Sequence, residues 1–187
     1  MTKRNQVRIV GGRWRNRLIR FAASEQLRPT PDRVRETLFN WLGQTLDARS
    51  CLDLFAGSGA LGFEAASRGA SEIVMVESNR DTHATLVRTA QILDADNIEI
   101  LCKDAFAFLG SDRRVFDIIF LDPPFQQARL PKLLGMLRPH LAPDGLVYIE
   151  AEKLPEITPD CVVMRRSKVG QVNFLLLEFS NHDSAIQ

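Results

Sequence analysis

The spacing of apolar residues changes along the chain, and with it the predicted structure. Residues 7–22 read as short strands: Val7 to Val10, a Gly11-Gly12 turn, then Arg13 to Phe21. Gly-Gly between two strand-like runs suits a hairpin. From residue 30 the period lengthens. Val34, Leu38, Trp41 and Leu42 fall at i, i+4, i+7 and i+8, one face of a helix. Thr30 is placed to cap that helix, Pro31 to open it and Asp32 to meet its positive end. Near-continuous apolar runs follow at 50–55, 72–77, 98–102, 116–121 and 145–150. Helical patterns at 60–68, 79–93, 104–109 and 129–141 lie between them. Strands apolar on both faces that alternate with helices predict a parallel α/β sheet covered on both sides. Residues 161–168 and 172–179 are strand-like and separated by a short link, which predicts an antiparallel hairpin at the sheet edge. The expected organisation is an N-terminal hairpin arm over 1–28, an α/β domain over 29–180 and a frayed tail over 181–187.

Composition narrows the class. The chain has 187 residues, 45% of them hydrophobic and 25% charged, enough for one domain with a core of its own. No apolar run is long enough to cross a bilayer, and the basic N-terminus lacks a hydrophobic signal core. A cytoplasmic monomer is expected. Cys51, Cys102 and Cys161 stand far apart in apolar runs, so buried free thiols are expected, with neither a disulfide framework nor a zinc site. The histidines are scattered, and no metal is expected. The net charge of +1 is unevenly placed. Residues 1–28 hold eight basic residues and one acid, a balance of +7, which leaves −6 for the remainder. A basic arm on an acidic globule implies a polyanionic partner. Arg8, Arg13, Arg15, Arg17 and Arg20 are the candidate RNA contacts. On a single strand, Arg13, Arg15 and Arg17 would share a face.

The first central strand runs into Asp53-Leu54-Phe55-Ala56-Gly57-Ser58-Gly59, and a helix follows. Glycines at such a junction let a ligand approach the backbone at a helix N-terminus. Glu77 ends the second strand, where it can accept from a ribose diol. Asp104, followed by Ala105, ends the third, beside the place for an adenine edge. Gly57 to Gly62 also fits the dinucleotide fingerprint. However, the Asp53 carboxylate would repel a pyrophosphate and attract the ammonium and sulfonium of S-adenosylmethionine. The methyl donor, leaving as S-adenosylhomocysteine, is therefore the favoured cofactor. The predicted contacts are Asp53, Phe55, Ala56, Gly57, Ser58, Gly59, Glu77, Asp104 and Ala105.

The fourth strand ends in Asp122-Pro123-Pro124-Phe125, which in an open α/β sheet faces the same crevice as the glycine loop. Two prolines stiffen the turn and remove two donors, leaving carbonyls and a carboxylate. Asp122 and the Pro123 carbonyl can accept the two hydrogens of an aromatic amine, aiming its lone pair at a methyl group and stabilising the cation that develops. Phe125 offers a face on which a base can stack. Asp122, Pro123 and Phe125 are thus the candidate catalytic residues.

With these motifs the chain resembles the amino methyltransferases of the class I fold. More narrowly, it resembles the bacterial 16S rRNA guanine-N2 methyltransferase family known as RsmD. The resemblance rests on residues 8–15, 27–42, 52–62 and 120–125, and extends to about residue 179. It implies a Rossmann-like seven-stranded sheet of order 3-2-1-4-5-7-6 with strand 7 antiparallel and an N-terminal hairpin. It also implies methylation of the exocyclic N2 of one guanine in 16S rRNA, within an assembled or assembling small ribosomal subunit. One alternative, an amino methyltransferase of adenine in DNA or rRNA, shares the catalytic motif; another, a non-catalytic RNA-binding module, shares only the fold, and the intact Asp53, Gly57, Gly59, Asp122 and Phe125 argue against it. Arg33 and Arg35 match the family pattern, and a helix-surface ion pair is their simplest role.

Overall fold

The structure, a computed structural model, describes residues 5–21, 29–123 and 130–180. The elements are β1 (Gln6–Arg8), β2 (Leu18–Arg20), α1 (Asp32–Leu42), β3 (Ser50–Asp53), α2 (Ala60–Ser67), β4 (Glu72–Glu77), α3 (Arg80–Ile92), β5 (Ile98–Cys102), α4 (Ala105–Ser111), β6 (Phe116–Leu121), α5 (Leu130–Leu137), β7 (Leu141–Ala151), β8 (Cys161–Val169) and β9 (Val172–Phe179). Seven strands form one sheet in the order β5-β4-β3-β6-β7-β9-β8. Counted from β3, this is the expected 3-2-1-4-5-7-6. β3 to β7 pair in parallel, and β9 runs antiparallel to both β7 and β8.

Strand alternation divides the core in two. Cys51, Ile73, Met75, Ile118, Phe120 and Tyr148 point into one cluster with Val34, Leu38 and Phe39 of α1, Leu61 and Phe63 of α2 and Leu86 of α3. Leu52, Val74, Val76, Ile119, Leu121 and Ile149 point the other way, onto Phe108 of α4 and Leu133, Leu134 and Leu137 of α5. Fully burying one such side chain contributes about 1.5–3 kcal/mol, so both faces of the sheet must stay covered.

Several local expectations are corrected. The first helix is not capped by Thr30. Pro31 holds the cap position and makes no side-chain cap bond, while the buried Thr30 turns its hydroxyl to Glu150. The run at 50–55 leaves the sheet after Asp53. The helix read over 129–141 ends at Leu137 and gives way to a 3-10 turn over Arg138–His140, where Pro139 cannot donate an α-helical bond. The buried-thiol expectation holds for Cys51 only: Cys161 is half-buried and Cys102 is exposed, at the end of edge strand β5.

The largest correction concerns residues 13–21. Only Leu18–Arg20 is strand, and Gly11-Gly12 is not a tight turn. β1 and β2 pair through Gln6–Arg20, Val7–Ile19 and Arg8–Leu18, and a loop closes beyond Ile9 and Arg17. Gly12 (φ 72°) and Asn16 (φ 68°) bend that loop through the left-handed region. Arg13 and Arg15 therefore lie in the loop and do not share a strand face with Arg17. The loop is fastened to the end of α2. Arg13 N–H donates to the Ser67 carbonyl (2.7 Å), Trp14 N–H to Ser67 Oγ (2.9 Å), and Ser67 Oγ to the Gly11 carbonyl (2.6 Å). Val7, Ile9, Trp14, Ile19 and Phe21 are buried in the first core cluster.

A buried ionic cluster holds this corner. Glu64 on α2 is fully buried. It accepts from Arg35 Nη1 (3.2 Å), Arg68 Nε (2.9 Å) and the Val10 N–H (2.8 Å). Arg35, also fully buried, bonds further to the Thr30 carbonyl (3.2 Å) and to Asp32 (2.6 Å). Arg35 thus makes the ion pairs expected of it, but within the core, tying α1 to α2, whereas Arg33 is exposed.

Candidate active site

The chain leaves β3 at Asp53 and enters α2 at Ala60 through a loop with two left-handed glycines, Gly57 (φ 50°) and Gly59 (φ 78°). A side chain at Gly59 would strike Phe63 at 2.5 Å and Leu86 at 2.7 Å. Asp53 lies beneath the loop, 2% exposed, and its Oδ2 accepts the Gly62 N–H at 3.1 Å. Burial pushes its carboxyl up to about 7, against the Gly62 and Phe55 amides, which lower it, and with the Glu77 charge, which raises it. Glu77, ending β4, accepts the Gly57 N–H (3.0 Å) and the Asn79 N–H (2.7 Å). Asp104 caps α4 through Oδ1, which accepts from Phe106 (2.9 Å) and Ala107 (3.1 Å). Its second carboxyl oxygen remains open at an exposed position, and Ala105 is buried behind it. Phe55 and Gly57 are half-exposed at the loop surface, while Ala56 and Ser58 are buried. The structure thus brings the loop, Glu77 and Asp104 together at the carboxyl ends of three adjacent strands.

This arrangement suits an adenosyl sulfonium ligand. Glu77 keeps lone pairs for a diol, since each carboxylate oxygen can accept twice. Asp104 keeps an oxygen for an amine, and the loop presents a helix N-terminus beside buried negative charge.

β6 lies between β3 and β7. Leu121 pairs with Ile149, so the next residues, Asp122 and Glu150, lie level on neighbouring parallel strands. Asp53, Asp122 and Glu150 therefore form a row of carboxylates on the α1 side of the sheet. Burial raises the Asp122 carboxyl well above the usual range, and the Glu150 and Asp53 charges add to it. Glu150 is itself 7% exposed and raised by burial, an effect opposed by hydrogen bonds from Tyr148 and Thr30. Tyr148 Oη donates to Glu150 at 2.9 Å. Pro123 is half-exposed beside Asp122. Phe125, like Pro124, lies outside the described residues.

Sequence reasoning misses Glu150, although a signal is present. Leu146-Val147-Tyr148-Ile149-Glu150 ends an apolar run in an acid, as do the runs ending at Asp53, Glu77 and Asp122. Among the described residues, no group of three or more His, Cys, Asp or Glu side chains is placed to hold a metal.

The five candidate RNA-contact arginines are exposed but not equivalent. Ser67 ends α2, and Asn97 immediately precedes β5, so both mark the amino-terminal rim of the sheet. Arg13 bonds Asn97 Oδ1 at 3.3 Å and lies over the Trp14 ring at 4.2 Å. The loop carrying Arg13 and Arg15 therefore points away from the catalytic rim. Arg8 and Arg20 lie on the outward face of the paired strands, since Val7 and Ile19 fill the inward one.

A sheet of this order, with a glycine loop after its first strand and Asp-Pro after its fourth, defines the class I methyltransferase fold. The family model described as Conserved hypothetical protein 95 matches residues 7–178. The chain is 39% identical over 178 residues to ribosomal RNA small subunit methyltransferase D of Escherichia coli strain K12, covering 92% of this chain and 90% of that protein. The Haemophilus influenzae protein of the same name is 38% identical over 183 residues, covering 94% and 95%. The solved structure of the Escherichia coli protein yhhF superposes with a TM-score of 0.85 at 38% identity, covering 94% of this chain and 98% of that one. The chain belongs to this family, the RsmD methyltransferases.

Proposed function

We propose that the chain transfers a methyl group from S-adenosylmethionine to the exocyclic N2 of one guanine in 16S rRNA of the small ribosomal subunit. The observation that carries the reading is the position of Asp122. It directly follows β6, the strand between β3, which opens the glycine loop, and β7, which carries Glu150 at the same level. The family relationship specifies which amine is modified.

When bound, S-adenosylmethionine supplies an electrophilic methyl on a sulfonium. The loop from Asp53 to Gly59 and the carboxylates of Glu77 and Asp104 hold it. Asp122 and the Pro123 carbonyl accept the two hydrogens of the guanine amine and orient its lone pair. Transfer of that methyl would leave the amine nitrogen cationic and S-adenosylhomocysteine as the neutral leaving group. The Asp122 carboxylate stabilises that cation and takes one of its protons. A half-buried carboxyl flanked by the Glu150 and Asp53 charges has a raised proton affinity, which suits this task. Phe125 is assigned to stacking on the base. The outward arginines Arg8 and Arg20, with Arg17, are assigned to RNA phosphates, and the working location is the cytoplasm.

The test is methyl transfer from labelled S-adenosylmethionine to purified small subunits that lack the modification, with nucleoside mass spectrometry of the product. N2-methylguanosine is the expected product. N6-methyladenosine, or equal labelling of naked DNA, would overturn the substrate assignment.

A further inference from the structure

β8 forms the outer edge of the sheet, three strands from β6 and on the side away from the glycine loop. Its register fixes its height relative to the active site. Leu121 pairs with Ile149, Ile149 with Leu175, and Leu175 with Arg166. Ala151 pairs with Asn173, and Asn173 with Lys168. Arg166 therefore stands level with the residue before Asp122, and Lys168 two residues further toward the catalytic rim. At about 4.8 Å per strand, the edge runs roughly 15 Å to the side of β6. Paired residues share a face, so Arg166 and Lys168 project on the α4–α5 side and Arg165, paired with Leu176, on the α1 side.

All three cations are exposed. Their one side-chain bond among the described residues runs from Arg165 to the Met164 carbonyl at 2.9 Å. β8 has no carboxylate, and Glu178, the one on β9, pairs with Val162 at the far end. Cations on an edge strand also discourage edge-to-edge pairing, a task that does not depend on which half of the strand carries them. Here the half beside the amino-terminal rim is uncharged and exposes Val162, Val163 and Met164 at 49, 43 and 41%. The charge is confined to the half beside the catalytic rim.

We propose that Arg165, Arg166 and Lys168 form a second RNA-binding strip that grips backbone phosphates of the rRNA flanking the target base. The inference rests on the rRNA methyltransferase reading. The strip lies beside the catalytic rim of the sheet, with Arg165 on the face of Asp122 and Glu150 and with Arg166 and Lys168 on the other. The N-terminal hairpin packs on α3, which covers β5 at the opposite edge. The strip meets backbone, so it positions the substrate and leaves base choice to the pocket.

The experiment compares wild type with the triple variant Arg165→Ala, Arg166→Ala, Lys168→Ala in binding to unmodified small subunits at several salt concentrations. S-adenosylmethionine affinity and thermal midpoint serve as controls. The variant should bind more weakly, and its log–log salt slope should fall by roughly two to three units, about 0.7–0.9 for each of the three phosphates no longer neutralised. The double variant Arg165→Lys, Arg166→Lys should keep the wild-type slope, because a purely cationic interaction survives that change. If wild type methylates the subunit and the alanine variant keeps both affinity and slope, this inference is overturned and the activity stands. If wild type does not bind rRNA at all, both are overturned.

Discussion

Asp122, just past β6, lies level with Glu150 near the end of the neighbouring parallel strand β7, and Glu150 is held there by Tyr148 and Thr30. After burial, the Glu150 charge is the largest influence raising the Asp122 carboxyl. Glu150→Gln removes that charge and keeps an oxygen to accept from Tyr148 and Thr30. The Asp122 carboxyl should then ionise at lower pH, and the acid limb of kcat against pH should move down with it. S-adenosylmethionine affinity should be unchanged. A pH–rate profile superimposable on wild type would show that Glu150 serves packing alone.

Asp122 itself should matter for turnover more than for cofactor binding, since its partner is the reacting amine. Asp122→Ala should cut kcat and kcat/KM together, by at least about a hundredfold, the usual cost of losing one transition-state acceptor. Calorimetry should find the S-adenosylmethionine affinity within a few-fold of wild type. Near-normal turnover on the subunit would remove Asp122 from the mechanism.

Asp53 links cofactor binding to pH. With a folded-state pKa of about 7, against an ordinary carboxylate value of 3.8, it is protonated in the free protein below neutrality. A cationic ligand favours the ionised form, so affinity should weaken as pH falls below about 7, by up to roughly tenfold per unit. The linkage to folding has the opposite sense. The raised pKa contributes stability that is fully present below the unfolded value and is lost as pH rises toward 7. Asp53→Asn should therefore flatten the dependence of affinity on pH between about 5.5 and 7. A wild-type affinity constant across that window would contradict the carboxylate–cation assignment.

The buried cluster around Glu64 gives a stability prediction. Glu64→Ala would leave the fully buried Arg35 guanidinium and the largely buried Arg68 without their carboxylate. Breaking a buried pair from one side costs about 3–5 kcal/mol. Thermal unfolding should show a large drop in Tm, and the N-terminal loop, tied through Val10 N–H to Glu64, should lose amide-exchange protection first. Glu64→Gln should cost less. A Tm within a degree or two of wild type for the alanine variant would rule out this structural role.

The covered parallel sheet is legible because Ile73, Val74, Met75 and Val76, which alternate between the two core clusters, form an unbroken apolar run in the sequence, whereas the strand order is legible only through the family resemblance. The acids at strand ends are legible too, because a carboxylate closing an apolar run is conspicuous. Thr30, Arg35 and Glu64 are not legible as a unit. Arg35 and Glu64 lie 29 residues apart in the sequence, and ion pairing between elements has no period. Thr30 looks like a cap because its type and position suit one, yet its hydroxyl meets Glu150. Residues 13–17 mislead for a related reason: alternating charge suggests a strand, but Asn16 at positive φ and the anchoring to Ser67 and Asn97 decide the path. In the sequence the cations of β8 read only as part of an edge strand, and their height relative to Asp122 emerges from strand register alone.

The hairpin arginines should divide into two groups by position. Arg8 and Arg20 lie on the outward face of β1 and β2, whereas Arg13 is bonded to Asn97 at the amino-terminal rim. If the outward face meets RNA, Arg8→Ala with Arg20→Ala should weaken subunit binding. The salt slope should drop by somewhat under one unit for each arginine removed, because each neutralised phosphate releases counterions. Arg13→Ala should leave the slope close to wild type. Its cost should instead be a small loss of stability, from the exposed bond to Asn97 and the stacking on Trp14, at most about 1 kcal/mol. S-adenosylmethionine affinity should not respond to either change, since the glycine loop is held by Asp53 and Glu77. Binding to subunits across a salt series, with thermal unfolding of the same variants, separates the two groups. A slope that drops for Arg13→Ala and not for the Arg8–Arg20 pair would place the RNA at the hairpin tip and reverse this division.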